Sequence, residues 1–206
     1  MPPLANLNSE QERARRGSLS ILWLLPLAFV VHDAEEFITG QRWLEQHAAD
    51  LRSRVGDIPA QLVVDVYSSS LGTLAAMGVI LAVFAGVTIW AIRTNLSRLA
   101  TGAFVLCTGA FFLHGFGHIA ETALFGYYTP GVVTAALVVL PSGAVLLSAI
   151  RRRGAIKPAA LLLGLAIAAL LVVPAIIGAL LLGRVLAGPV DPGADNSWCI
   201  ISRPSR

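Results

Sequence analysis

Four ionisable residues stand close together near the end of the first apolar run. Asp33 points away from the other three, which are His32, Glu35 and Glu36. A helix turns about 100° per residue, so Glu35 lies about 60° to one side of His32 and Glu36 about 40° to the other. All three side chains are therefore predicted to share one helix face. An imidazole and two carboxylates on one face can bind a metal ion or exchange protons.

A second group, His114, His118 and Glu121, lies inside a longer apolar run. At helical spacing His118 is offset from His114 by about 40°, and Glu121 by about 20° in the opposite direction. These three side chains also share one face. Placing a charge at the centre of a membrane costs about 2.5–3.5 kcal/mol, so we expect these groups to have partners. A cation is the simplest partner for all of them.

The two groups together offer imidazole nitrogens and carboxylate oxygens to one site. Such a set could bind one Zn²⁺ with an open coordination position, or form a two-metal carboxylate site of the kind found in helical bundles. Mixed nitrogen and oxygen ligands suit zinc, iron or manganese better than copper(I). We therefore predict a divalent metal ion, zinc or iron, as the cofactor. The predicted metal ligands are His32, Glu36, His114, His118 and Glu121, and the predicted catalytic bases are Glu35 and Glu36.

Long apolar runs must position these groups. Hydrophobic residues make up 56% of the 206 residues and charged residues only 13%, whereas a soluble domain has about a quarter charged residues. Four runs are long enough to span a bilayer, which takes about 20 residues. The run before His32 becomes long enough if its helix continues to Thr39. The sequence thus predicts an all-α polytopic membrane bundle with about five spans, near residues 19–39, 71–92, 99–127, 132–150 and 161–182.

The segment between the first two spans, residues 41–68, contains no spanning run. Its apolar residues recur at helical spacing among charged ones, which predicts an amphipathic helix lying on the membrane surface. We interpret His47, on this helix, as structural. Asp65 and Tyr67, just before the second span, could approach the metal site from outside. The apolar stripe consists of Trp43, Leu44, His47, Leu51 and Val55.

The chain divides into a polar N-terminal segment (1–17), a single transmembrane helical domain (18–187) and a tail (188–206) that is predicted to be disordered. A basic segment before a short apolar run also describes a signal peptide, but no small-residue cleavage pattern follows. The arginine clusters, Arg151 to Arg153 above all, place the N-terminus in the cytoplasm and the C-terminus outside. Both His/Glu groups then begin roughly 21–23 Å from the inner surface, which predicts one shared site between the first and third spans.

Composition excludes several other classes of protein. The net charge of +3 at pH 7 is too small to indicate a nucleic-acid partner. The two cysteines, Cys107 and Cys199, are too few for a disulfide framework and form no CxxC motif. The expected surroundings are the lipid bilayer and an apolar small molecule.

The pentapeptide from His32 to Glu36, followed by a later transmembrane histidine pair with Glu121, resembles the family of bacterial integral membrane proteins named for its HXXEE motif. The likeness covers roughly residues 22–150. The resemblance implies an integral membrane protein with a His/Glu site. The family has no established activity, although its His and Glu residues suggest an enzyme.

These observations predict a membrane-embedded metal-dependent enzyme, a hydrolase or an oxidoreductase, that acts on a lipid or another apolar substrate. A proton- or ion-coupled carrier remains an alternative, because buried His/Glu chains also form proton relays. A haem cytochrome with His32 opposite His114 or His118 is another, and a purely structural subunit is a fourth. Alternatives also remain for each cluster: solvation of His32 and its neighbours at the helix end, or a histidine pair that only hydrogen-bonds between helices.

Overall fold

A computed structural model of the protein describes residues 19–67 and 69–187. These residues form six helices and no strand, which confirms the all-α prediction. A 3₁₀ turn at Ser20–Trp23 precedes the first helix. The predicted polar segment 1–17 and the predicted tail 188–206 lie outside the described residues. The helices are α1 (Leu24–Val55), α2 (Asp57–Tyr67), α3 (Ser70–Arg93), α4 (Arg98–Phe125), α5 (Val132–Arg152) and α6 (Pro158–Ala187).

Helices α3, α4, α5 and α6 are long and apolar enough to cross a membrane. Their positions confirm the four long runs predicted from the sequence. Helix α4 ends where Gly126 adopts a left-handed conformation, with φ of 79°, as is common at a helix C-terminus. Helix α5 contains a π-helical turn at Ala135–Val139, just before Pro141, whose missing N–H removes one α-helical hydrogen bond.

Helix α1 contains the predicted first span and extends well beyond it. Its 32 residues correspond to about 48 Å, more than the roughly 30 Å hydrocarbon core of a bilayer. Acidic residues keep it outside the four helices that qualify by composition. Its N-terminal part nevertheless lies in the main core, where Leu25 and Phe29 are buried, as a fifth span would require.

The C-terminal part of α1 differs from the predicted surface helix, because no break separates it from the first span. Val55 of the predicted stripe is 42% exposed, while its other apolar residues, Trp43, Leu44 and Leu51, are buried against protein. They pack against α2 and the end of α4 and form a small second core, which we name the cap. Gly40 allows this packing, since a Cβ there would lie 2.5 Å from the Tyr67 ring. The cap consists of Trp43, Leu44, Leu51, Ala60 and Phe125.

The main core holds the spans together through aromatic and aliphatic side chains. Phe29 on α1 packs edge-on against Phe84 on α3, with ring centroids 5.1 Å apart, and lies 5.8 Å from Phe111 on α4. Helix α6 packs against α3 so closely that a Cβ on Gly183 would lie 2.6 Å from the Gly72 carbonyl oxygen. Many large apolar side chains of α6 remain exposed, as expected for a helix that faces lipid.

Candidate metal site

Two helices bring four potential metal ligands to one place inside the bundle. Helix α1 supplies His32 and Glu36, one turn apart, and α4 supplies His114 and His118, also one turn apart. One ligand atom from each of the four lies within 4.8 Å of all the others. Helices α1 and α4, which contain the predicted first and third spans, thus bring His32 and Glu36 to the same point as His114 and His118. We name these four residues the His/Glu cluster.

The Oε1 atom of Glu36 lies at the centre of the cluster. It is 2.9 Å from Nε2 of His118, 3.6 Å from Nε2 of His32 and 3.9 Å from Nε2 of His114. The Nε2 atoms of His114 and His118 are themselves 2.9 Å apart. Three imidazole nitrogens and one carboxylate oxygen therefore surround a single small volume.

Burial separates this cluster from a solvated helix end. His32 is fully buried and His118 is 7% exposed, while the side chain of Glu36 is 14% exposed and that of His114 27%. The burial of His32 contradicts the alternative in which this histidine is solvated at the helix end. Among the described residues Nε2 of His32 has no hydrogen-bond partner, although leaving such a group unpaired costs about 1–3 kcal/mol. A cation bound among these atoms would satisfy it.

Gly131, in the turn between α4 and α5, closes one side of the cluster. A Cβ built on it would lie 2.9 Å from Cε1 of His32, 2.9 Å from Cε1 of His118 and 3.0 Å from Oε1 of Glu36. Its φ of 83° is also left-handed, a conformation that favours glycine. Sequence spacing did not predict a role for Gly131. Its only signal was the Pro130-Gly131 pair, which indicates a turn and says nothing about what the turn approaches.

Comparison with known proteins assigns the chain to a family. Residues 23–146 match the model of a family described as proteins of unknown function with an HXXEE motif. The chain belongs to this family. No curated protein and no solved structure matches it. The matched range contains all four residues of the His/Glu cluster, and the family description names no activity.

The two glutamates of the HXXEE motif point to different surroundings. Glu36 enters the cluster, whereas Glu35 faces the N-terminus of α5. There Oε2 of Glu35 accepts hydrogen bonds from the backbone N–H of Thr134 at 2.7 Å and from its hydroxyl at 2.6 Å. Oε1 accepts from the hydroxyl of Tyr128 at 2.8 Å. Glu35, predicted as a catalytic base, therefore lies outside the cluster and caps α5.

Glu121, predicted as a metal ligand, lies at the side of the His/Glu cluster. Its Oε2 is 3.9 Å from Nδ1 of His118, the ring nitrogen that points away from Glu36, and its side chain is 39% exposed. It does not belong to the group of four whose ligand atoms converge. The structure thus brings together four of the five predicted ligands and leaves Glu121 next to one of them.

Asp65 and Tyr67 were expected to approach the site from outside, and only Tyr67 reaches the His/Glu cluster. The hydroxyl of Tyr67 donates to Oε2 of Glu36 at 3.3 Å. Asp65 instead pairs with Arg184 on α6, at 2.9 Å. Sequence spacing could not separate these outcomes, because both residues lie on the last turns of α2.

A cavity of about 80 Å³ adjoins the cluster on the side of the cap. Its inner wall is formed by Glu36, His118 and Glu121. Apolar side chains of the cap also line the cavity, as does Tyr67, whose hydroxyl donates to Glu36. A small group bound here would contact the cluster directly. The other lining residues are Gly40, Trp43, Leu44, Val63 and Pro130.

Proposed function

We propose that this HXXEE-family protein is a membrane-embedded, metal-dependent enzyme whose metal ligands are His32, Glu36, His114 and His118. One observation supports this proposal above the others. Four side chains of the correct types converge within 4.8 Å inside a bundle of apolar helices. Nε2 of His32 is buried there with no hydrogen-bond partner among the described residues.

The donor set limits the choice of metal. Imidazole nitrogens together with a carboxylate oxygen suit zinc, iron or manganese. Such an ion, when bound, polarises a substrate oxygen or activates water as a nucleophile. The protein's own contribution is to hold the ligands in place, exclude bulk water and move protons at the edge of the site.

Glu121 is the group we propose for proton transfer. It lines the cavity beside the cluster without belonging to the converging four. Its carboxylate faces Nδ1 of His118, so a proton could pass between substrate and protein close to the ligands. Glu36, at the centre of the imidazoles, serves as a ligand in this arrangement.

The cavity supports an apolar substrate with one polar reactive group. The polar side chains that line it are on the side of the cluster, while Trp43, Leu44 and Val63 on the cap side are apolar. A lipid or a similar molecule would place its reactive oxygen against the cluster and its hydrocarbon part against the cap. Four membrane-length apolar helices in the same chain support access from a bilayer.

The distribution of arginine supports an orientation with the N-terminus in the cytoplasm and the C-terminus outside. Reporter fusions in the Arg151–Lys157 turn and after residue 206 test it, since the two fusions should report opposite sides. Signals from the same side would contradict the five-span arrangement.

Metal analysis of the purified protein tests the main proposal. The protein in detergent is stripped with a chelator, reloaded separately with zinc, iron(II) and manganese, and assayed for bound metal per chain. We expect one of these metals to bind in the wild type. Glu36→Gln, which removes the ligand charge and keeps the side-chain shape, should weaken binding at least 10-fold. Glu45→Gln, the same change at an exposed position of α1, is the control.

Reconstitution into vesicles tests the proposal that the protein is an enzyme acting on a lipid. The loaded wild type and Glu36→Gln are incubated in vesicles of phosphatidylethanolamine and phosphatidylglycerol, and lipid products are followed by mass spectrometry. Product from the wild type alone supports a lipid substrate. Failure of all three metals to bind would overturn the metal site, and a proton relay built on the same residues would replace it.

The geometry does not favour the haem alternative. The His32 ring centroid lies 5.3 Å from that of His114 and 4.8 Å from that of His118. Two axial histidines must face each other across a macrocycle, and these rings are already in contact.

A further inference from the structure

The hydroxyl of Thr134 lies between the cluster and the partly exposed carboxylate of Glu35. Its Oγ1 is 2.9 Å from Nδ1 of His32 and 2.6 Å from Oε2 of Glu35. The carbonyl oxygen of Gly131 is 3.3 Å away. Thr134 thus connects the side of the His32 ring that faces away from the cluster to a carboxylate that does not enter the cluster.

The single proton of the Thr134 hydroxyl determines the direction of these hydrogen bonds. A threonine hydroxyl has one proton to donate and can accept as well. A carboxylate and a carbonyl oxygen only accept, and the contact to Glu35 is the shortest of the three. If Thr134 gave its proton to His32, two oxygens would face each other at 2.6 Å with no proton between them. The hydroxyl therefore donates to Glu35 and accepts from Nδ1–H of His32.

The protonation state of the other ring nitrogen, Nε2 of His32, follows from this assignment. In a neutral imidazole one nitrogen bears the proton and the other has a lone pair. With the proton on Nδ1, Nε2 of His32 presents its lone pair to the cluster, where Oε1 of Glu36 lies 3.6 Å away. This is the form of histidine that binds a metal ion, and an outer carboxylate commonly fixes it.

We infer that Glu35 and Thr134 are positioning residues that hold His32 as its Nδ1–H tautomer and so direct Nε2 into the metal site. The inference rests on the proposed role of His32 as a ligand. It gives the two motif glutamates separate tasks: Glu36 contributes an oxygen inside the cluster, and Glu35 acts through Thr134 on the opposite side of the same ring.

The first test reads the tautomer directly in metal-free protein. Histidine side chains are labelled with ¹⁵N, and ring nitrogen shifts are recorded in detergent micelles, with His32 assigned from a His32→Gln sample. We expect His32 to be protonated at Nδ1 in the wild type and in Thr134→Ser, which keeps the hydroxyl. In Thr134→Val, which is of similar shape but has no acceptor, Glu36 becomes the nearest acceptor and the proton should move to Nε2.

The second test measures zinc affinity in the same proteins. Outer-shell changes typically weaken metal binding about 10–100-fold, so we expect a loss of that size in Thr134→Val and near wild-type affinity in Thr134→Ser. Thr122→Val is the matched control. Thr122 pairs with the hydroxyl of Thr129 near the end of α4, so this variant loses a hydroxyl contact outside the His32 connection.

These outcomes distinguish the inference from the proposed function. An Nε2–H tautomer in the wild type, or a tautomer that Thr134→Val leaves unchanged, overturns the inference whether or not metal binds. Zinc that binds with measurable and equal affinity to the wild type and to Thr134→Val does the same. An Nδ1–H tautomer that Thr134→Val alters, in a protein that binds no metal, supports the positioning role and contradicts the metalloenzyme.

Discussion

Histidines pack against other rings in two parts of this molecule, the cap and the His/Glu cluster, but their ring nitrogens differ in having hydrogen-bond partners. In the cap, the His47 ring stacks on Trp43 at 5.0 Å and on Tyr127 at 4.6 Å between centroids. Its Nδ1 lies 2.9 Å from the carbonyl oxygen of Trp43, to which it donates. In the His/Glu cluster, the His32 and His118 rings lie edge to face, 4.8 Å apart, and their Nε2 atoms point to one volume.

The difference lies in where the ring nitrogens find partners. The protein itself satisfies Nδ1 of His47, so that histidine completes a packed aromatic group. Nε2 of His32 is buried and has no hydrogen-bond partner among the described residues. A buried nitrogen without a partner indicates a missing ligand more strongly than histidine content does. The cap is therefore a structural unit, whereas the cluster could hold a metal ion.

Removing one histidine from each region should separate a metal ligand from a packing residue. His118→Ala should lower metal affinity at least 10–100-fold, because a ligand is lost. His47→Ala should leave bound metal unchanged and lower stability by about 1 kcal/mol, since it removes two stacked contacts. Metal per chain after identical purification and reloading, together with thermal unfolding in detergent, measures both. Equal metal content in the two variants would mean that the cluster is not the site.

A second pair of variants separates backbone strain from intrusion into the cluster. Gly131→Ala and Gly126→Ala both place a side chain at a positive φ, and each should lose about 1–2 kcal/mol of stability. Only at Gly131 would the new Cβ meet His32 and His118, while nothing lies within 4 Å at Gly126. We therefore expect Gly131→Ala alone to lower metal affinity. Similar metal binding in both variants would show that the cluster can expand around a methyl group.

The smallest expected effect concerns pH in the cap. Burial, followed by its hydrogen bond to Asp50, raises the pKa of Tyr127 to about 12. The Tyr127 hydroxyl and then Arg54 lower the pKa of Asp50. The raised tyrosine contributes stability that is complete below its usual pKa of about 10 and disappears as pH rises towards 12. The lowered aspartate contributes stability above its usual pKa of 3.8 that disappears as pH falls through its lower folded value.

Tyr127→Phe is the variant that tests this pH dependence. Thermal unfolding of the wild type should show an additional loss of stability between about pH 10 and 12, and the variant should lack it. Phenolate absorbance should show one tyrosine fewer titrating at high pH. An identical alkaline profile in both proteins would mean that the contact between Tyr127 and Asp50, 2.5 Å long, does not contribute to the stability of the cap.

Local helix geometry explains what the sequence could predict. The spacing of His114 and His118, like that of His32 and Glu36, fixes a shared face whatever the rest of the fold does. The matched position of both groups along their spans then brought the two faces to one level. The His/Glu cluster was predictable for these reasons, and so were the four long apolar helices.

The remaining features depend on contacts between distant parts of the chain. Glu35 lies on the predicted face of α1, yet it is recruited by the N-terminus of α5, about a hundred positions later in the sequence. Gly131 matters because of what its turn approaches. The apolar stripe of Trp43, Leu44 and Leu51 has the same pattern whether lipid or protein covers it. Periodicity shows that a face is apolar and does not show what lies against it.

Because α1 is continuous from the main core to the cap, a displacement at one end is transmitted along it. Leu25 is held in the main core, Glu36 lies in the cluster and Leu51 lies in the cap, at about 1.5 Å of rise per residue. If the helix tilts as a rigid rod about Leu25, a displacement of about 1 Å at Leu51 moves Glu36 by roughly 0.4 Å. That is close to the tolerance of about 0.5 Å within which a functional constellation must be held. A force on the part of α1 outside the spans would therefore change the distances among His32, Glu36 and the α4 histidines.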